Sequence, residues 1–255
     1  MTASLNPYLA DNFAPVQTES TADQLSVLGE IPLELNGMFV RNGPNPQFPP
    51  VGAYHWFDGD GMLHGVRIQD GKASYRNRYI RTQGFEQERQ AGRALFGGLL
   101  QPLQGGFKNV ANTAIVWHRE RLLALWEGGE PHAIAVPSLE TLGSHTFGGK
   151  LTSPVTAHPK IDPVTKEMMF FSYSLAQPPH VKYSVISSDG DLLRTVPIEL
   201  PVGVMMHDFA ITEHYTIFMD LPLTFRRERL QRGEPAFAFE RDRPSRFGIL
   251  PRLGR

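Results

Sequence analysis

The sequence predicts an all-β chain folded as a β-propeller, here an incomplete arc of about four blade units. Three observations carry this prediction. The chain holds 24 glycines and 21 prolines in 255 residues, above the ordinary usage of about 7% and 5%, which calls for many turns and short strands. Four segments also align as one strand-turn-strand unit: HGVRIQDGKASYRNRYI from His64, NTAIVWHRERLLALWEG from Asn112, HPKIDPVTKEMMFFSYS from His158 and HDFAITEHYTIFMDLP from His207. Their period lies in the high forties, the length of a propeller blade of about 40 to 50 residues. In a closed propeller the leading residues ring the axis. Three imidazoles and an amide at one phase are therefore candidate ligands for an axial metal.

Taken in order, the chain reads as one incomplete propeller domain over 1–255. Residues 1–50 are rich in Pro and Asn (NPYL, IPLELNG, RNGPNPQFPP) and read as an extended lead-in wrapped on a core. Residues 55–80 hold the first repeat unit. Residues 84–108, FEQERQAGRALFGGLLQPLQGGFK after the opening glycine, break the pattern with a short helix ending near Gly97 and an apolar, Gly-rich loop, an insertion above the propeller face. Blade units fill 109–255, with a hairpin in VKYSVISSDGDLLRTVPIEL turning at Asp189-Gly190. The tail is polar and basic before it becomes strand-like at RFGILP and stops as though in mid-blade.

Composition excludes several classes. Lys plus Arg is 25 against Asp plus Glu 26, so nothing electrostatic favours nucleic acid. Without cysteine there are no disulfides, thiolate sites or Cys nucleophiles, and a cytoplasmic location is permitted. The N-terminus lacks a basic start and apolar h-region, and no run of about 18 apolar residues occurs. GxxxxGK[ST], GxGxxG and GxSxG are all missing. Asp58-Gly59-Asp60-Gly61 hints at calcium, but Met62 and Gln69 stand where a calcium loop needs oxygen ligands; a tight turn is the better reading. Of the nine histidines, His118, His132, His145, His180 and His214 fall in turns or strand ends and read as structural or solvated, while His55 and His64 flank the WFDGDGML turn.

The blocks HWFDGDGMLHGVRI (55–68), ANTAIVWHRERLLALWEGGEP (111–131), LTSPVTAHPKIDPVTKE (151–167), MHDFAITEHYTIFMDLP (206–222) and RFGILPR (246–252) resemble the signature blocks of the carotenoid cleavage oxygenases. The resemblance spans nearly the whole chain. It implies a seven-bladed β-propeller with one Fe(II) on its axis held by four histidines. Two of these fall on His158 and His207. The resemblance also puts at Glu127 a carboxylate that accepts the free ring N–H of an iron ligand, fixing its tautomer; read from the sequence alone, Glu127 is a turn residue before Gly128-Gly129. His64 is not an iron ligand in such a family, against the phase argument.

Neutral imidazoles keep iron divalent and leave open positions for dioxygen. The implied reaction is cleavage of a conjugated C=C bond of a carotenoid or apocarotenoid by dioxygen into two carbonyl fragments, on a long apolar polyene substrate. Phe96, Trp126, Met205, Met206 and the Leu95–Leu103 stretch are candidates to line its tunnel, or are ordinary core. Stilbene-cleaving relatives are expected to carry Lys before the glutamate, so Trp126 favours the carotenoid class. Leu95, Phe96, Leu99 and Leu100 are candidates for peripheral membrane contact.

Such relatives run to about twice this length, with their other two histidines in blocks not found in these 255 residues. The chain thus reads as the N-terminal half of an iron oxygenase, inactive alone and prone to associate through exposed propeller edges. Two alternatives stay open: a non-catalytic propeller-like interaction module, and a stilbene-cleaving oxygenase. A calcium-dependent propeller hydrolase lacks its acidic ligands.

Overall fold

The computed structural model describes residues 6–99, 106–175 and 177–252. It forms two compact units, Met1–His145 and Thr146–Arg255, both built from antiparallel sheets.

In the first unit, β1 (Thr21–Ala22), β2 (Gly37–Pro44), β3 (Gly61–Gln69) and β4 (Lys72–Tyr79) make a four-stranded sheet in the order β1-β4-β3-β2. The helix α1 (Gln83–Ala91) follows, then a second sheet of β5 (Ala114–His118), β6 (Arg121–Leu125), β7 (His132–Ile134) and β8 (Thr141–Ser144), each paired to the next. This up-and-down order is that of a propeller blade. Leu63, Ile80, Leu122, Ile134 and Leu139 are buried together between the sheets. Each such side chain contributes roughly 1.5–3 kcal/mol by leaving water.

The second unit repeats the pattern. Its first sheet runs β9 (Lys160–Ile161), β10 (Met168–Tyr173), β11 (Val181–Ile186) and β12 (Leu192–Ile198); its second joins β13 (Phe209–Ile211), β14 (Tyr215–Asp220) and, beyond an excursion, β17 (Arg246–Pro251). The excursion holds the hairpin of β15 (Leu223–Phe225) and β16 (Phe237–Phe239) with α2 (Arg227–Gln231) between them. Strand β10 reads MMFFSY, and its first five residues are buried. A continuous apolar run of this kind is a strand covered on both faces: Met169 and Phe171 enter one cluster with Tyr183, Met206, Phe209 and Phe218, while Phe170 stacks on Phe147. Strand β12 alternates half-buried and exposed residues, as an outer strand should.

Three sequence expectations change. The stretch 1–50, expected as an extended lead-in, supplies β1 and β2, so the first sheet takes in strands that lie ahead of residue 55. His64 consequently lies in the middle of β3, opposite Arg41 and Asn77, and its Nδ1 meets the Tyr75 hydroxyl at 2.8 Å; its spacing from Asn112 reflects a hairpin one strand out of phase. The helix ends at Ala91, six residues earlier than Gly97, because Gly92 adopts a left-handed φ of 67° that caps it. The Asp189-Gly190 turn and the strand at RFGILP appear where expected.

The DGDG segment is a turn, as the sequence suggested, after a short 3-10 helix over Trp56–Asp58. Close approach requires its glycines: a Cβ on Gly61 would lie 2.6 Å from the Ala111 carbonyl oxygen. Both carboxylates are occupied. Asp58 accepts the Leu99 amide at 2.7 Å, and Asp60 accepts Lys108 Nζ at 2.5 Å.

Candidate functional site

Asn112, His158 and His207 each stand two residues ahead of the strand that opens a sheet, β5, β9 and β13 respectively. The shared phase read from the sequence is therefore real for these three. Asn112 uses its amide structurally: Nδ2 donates to the Phe57 carbonyl at 3.0 Å and the Gly59 carbonyl at 2.7 Å, which ties the WFDG turn to the second sheet.

The second unit brings the two imidazoles together. His158 Nε2 and His207 Nε2 are 2.9 Å apart, with ring centroids at 4.6 Å and planes 74° apart. Each ring is set by its own anchored segment. The Thr156 amide donates to Phe171 of β10 at 2.8 Å, and the Thr156 hydroxyl accepts the His158 amide at 3.3 Å. Ahead of His207, the Met205 amide donates to Leu223 at 2.9 Å and Val204 bridges Thr224. Asp208 accepts Lys160 Nζ at 2.7 Å and its neighbour's amide, Phe209 N, at 2.7 Å. Burial would raise the Asp208 pKa; the Lys160 and Phe209 hydrogen bonds outweigh it and hold the carboxyl below its ordinary value.

Two Nε2 lone pairs cannot face each other at this distance without a proton or a cation between them. The separation fits a cation well. Imidazole nitrogens bind first-row metals at about 2.0–2.1 Å, so two at a right angle sit about 2.9 Å apart. The donor set, two imidazoles and no thiolate, suits a divalent first-row metal such as zinc, copper, nickel or iron. Among the described residues, no group of three or more His, Cys, Asp and Glu forms around them.

The sequence profile of the retinal pigment epithelial membrane protein family matches residues 13–255. The chain belongs to this family. Its fold is accordingly an incomplete β-propeller, and the four-stranded sheets are its blades. The carotenoid 9,10(9',10')-cleavage dioxygenase 1 of Pisum sativum is 47% identical over 97% of this chain and 50% of its own length. Among solved structures, the lignostilbene dioxygenase of Pseudomonas brassicacearum superposes with a TM-score of 0.89 at 36% identity, over 98% of this chain and 54% of that one. A glutamate-to-glutamine variant of Synechocystis apocarotenoid oxygenase gives 0.80 at 31% identity, over 94% and 55%. The chain thus spans about half the length of the relatives it matches.

Within this retinal pigment epithelial membrane protein family member, the other expected site residues fall as follows. Trp126 and Glu127, both half-buried, begin the turn after β6 in the first unit. The indole folds back over Gly128, where an added Cβ would come 2.4 Å from the ring, and Gly129 N closes the turn onto the Trp126 carbonyl at 3.1 Å. Phe96 is half-buried, and its amide donates to Glu88 at 3.2 Å. Glu88 also receives the Leu95 amide at 2.8 Å and Lys108 Nζ at 2.5 Å, so the insertion is tied down by a buried carboxylate. Leu100 to Leu103, expected with Leu95 and Phe96 in the tunnel, lie outside the described residues. In the second unit Met206 belongs to the core cluster and borders a small apolar cleft with Val181, Phe218 and Leu250, while Met205 is half-buried.

Sequence reasoning missed Thr156, Lys160 and Asp208. The signal lay in the quoted blocks: HPK places Lys two residues after one imidazole, and HDF places Asp directly after the other. Among the described residues no helix is long and apolar enough to cross a membrane.

Proposed function

We propose that the chain supplies about half of a non-haem Fe(II) dioxygenase that cleaves a C=C bond of a carotenoid or apocarotenoid into two carbonyl products. The observation that carries this reading is the 2.9 Å approach of His158 and His207 Nε2, at one phase of two consecutive sheets, in a chain of this family. His158 and His207 would hold the iron through Nε2. Iron(II), when bound, supplies the redox chemistry that lets dioxygen cut the double bond. The protein's own part is to hold the imidazoles, exclude water and position a long apolar polyene. Phe96, Trp126, Met205 and Met206 provide the apolar contacts. Leu95, Phe96, Leu99 and Leu100 extend the reading to peripheral contact with the membrane in which such substrates dissolve.

Glu127 is proposed to accept a ring N–H from an iron-ligating imidazole. Its replacement separates charge from shape. Glu127→Gln in a full-length polypeptide carrying residues 1–255 keeps the turn but weakens iron binding or turnover by about 10- to 100-fold, the usual cost of losing such a partner. Iron titration and rates check this; values within twofold of the parent would leave Glu127 a turn residue.

A second reading, stilbene cleavage, draws support from the lignostilbene dioxygenase likeness. Trp126 weighs against it. The indole presents an apolar wall with no cation for a phenol oxygen. The same full-length polypeptide is therefore expected to cleave carotenoids or apocarotenoids and to leave hydroxystilbenes intact. Product chromatography on both substrate sets decides the point, and efficient stilbene cleavage would overturn the carotenoid assignment.

A further inference from the structure

Lys160 and Asp208 lie close in sequence to the two imidazoles. Lys160 stands two residues after His158, Asp208 one after His207, and their ion pair spans 2.7 Å. Its side chains are 29% and 43% exposed, and exposed pairs of this kind add little to stability. Its geometry is nevertheless fixed. Asp208 Oδ1 is held by its own chain through Phe209 N at 2.7 Å, and Lys160 Nζ sits 5.5 Å from the centre of the Phe209 ring, a cation–π contact that steers the ammonium.

A second tie lies on the other side of the imidazoles. The Thr156 hydroxyl, which accepts the His158 amide, reaches the His207 carbonyl at 3.5 Å. The segments carrying the two rings are thus joined once ahead of His158 and once behind it. These ties connect the segments leading into β9 and β13, the opening strands of two separate sheets that share no ladder hydrogen bonds.

We infer that Lys160 and Asp208 are a positioning pair, whose salt bridge locks the opening strands of adjacent blades so that His158 and His207 present their Nε2 atoms at metal-chelating distance. The inference rests on the proposed reading of both histidines as iron ligands. A chelating pair loses affinity when its donors must be brought together at the moment of binding, because that ordering opposes the binding energy. A pair held in place by its neighbours avoids the loss.

The test is Co(II) titration of a full-length polypeptide carrying residues 1–255, with Co(II) as an air-stable stand-in for Fe(II), read by its visible spectrum and by competition with a chelator. Lys160→Met and Asp208→Asn each weaken Co(II) binding about 10-fold or more. Because both remove one interaction, the double variant binds within about threefold of either single variant. Lys160→Arg, which keeps the cation, stays within about threefold of the parent. Thermal midpoints of all four move by only about 2 °C, since the pair adds little to folding. His158→Ala and His207→Ala are the controls and lose binding. If the controls lose Co(II) while Lys160→Met and Asp208→Asn bind within twofold of the parent, the positioning role is overturned and the ligand assignment stands. If affinity falls only in proportion to a lowered midpoint, the pair is structural and the inference fails. If neither histidine variant changes Co(II) binding, the ligand assignment itself fails and takes the inference with it.

Discussion

His158→Ala or His207→Ala, placed in a full-length polypeptide carrying residues 1–255, is expected to abolish both iron content and polyene cleavage. Each substitution removes one of the two nitrogens that now stand 2.9 Å apart. Divalent iron sits low in the general affinity order for such ligands, so a site short of one imidazole holds it poorly. Folding should survive. His207 is solvent-exposed and His158 half-buried, so neither truncation leaves a large cavity, and the backbone ties of Thr156 to Phe171 and Met205 to Leu223 do not involve the rings. Elemental analysis alongside turnover checks the expectation. Unchanged iron and activity in both variants would remove the two residues from the metal site.

The second large effect concerns the 255-residue chain tested as it stands. On the proposed reading it carries two of four iron-binding imidazoles, and a two-nitrogen site binds iron weakly. Purified chain should show substoichiometric iron and no cleavage of any polyene. It should also associate. Among the described residues, strand β17 pairs β14 on one side only, and Phe247 and Ile249 on that strand are 68% and 66% exposed. With Tyr215, which is 48% exposed, they form an apolar patch beside an open strand edge, a template for pairing with another chain. Light scattering should record oligomers that grow with concentration. Phe247→Lys should shift them toward monomer, because a charge on an edge strand opposes edge-to-edge pairing. A monodisperse monomer with one tightly bound iron and measurable turnover would contradict this expectation.

The sequence made a hairpin legible where its turn carried a clear signal. Asp189-Gly190 marks one such turn, and the leading residues of the later units share one phase because each precedes an opening strand by two positions. The first unit misled for a physical reason. Its opening strand β2 lies in a Pro- and Asn-rich stretch, GMFVRNGP, whose strand character comes from pairing with β3 across residues distant in sequence, and local propensity does not report such pairing. His64 was thereby aligned one strand out of phase.

The site was legible in part. Spacing put His64, Asn112, His158 and His207 at one phase, and the family resemblance, not the spacing, separated His158 and His207 from His64 as candidates. The surroundings were not legible, since they are contacts between segments about fifty residues apart: Thr156 to the His207 carbonyl, and Lys160 to Asp208. Lys and Asp are commonplace at surface positions, so nothing in their identity marks a pair until the fold brings them together. The same holds for Glu88 and Lys108, read in sequence as parts of a loose insertion and found buried against Asp60.

Anomalous diffraction at the iron edge, from crystals of a full-length polypeptide carrying residues 1–255 grown with Fe(II), tests the central claim most directly. A single iron peak is expected about 2 Å from both His158 Nε2 and His207 Nε2. A peak bound elsewhere, or none while the two imidazoles remain hydrogen-bonded to each other, would contradict it.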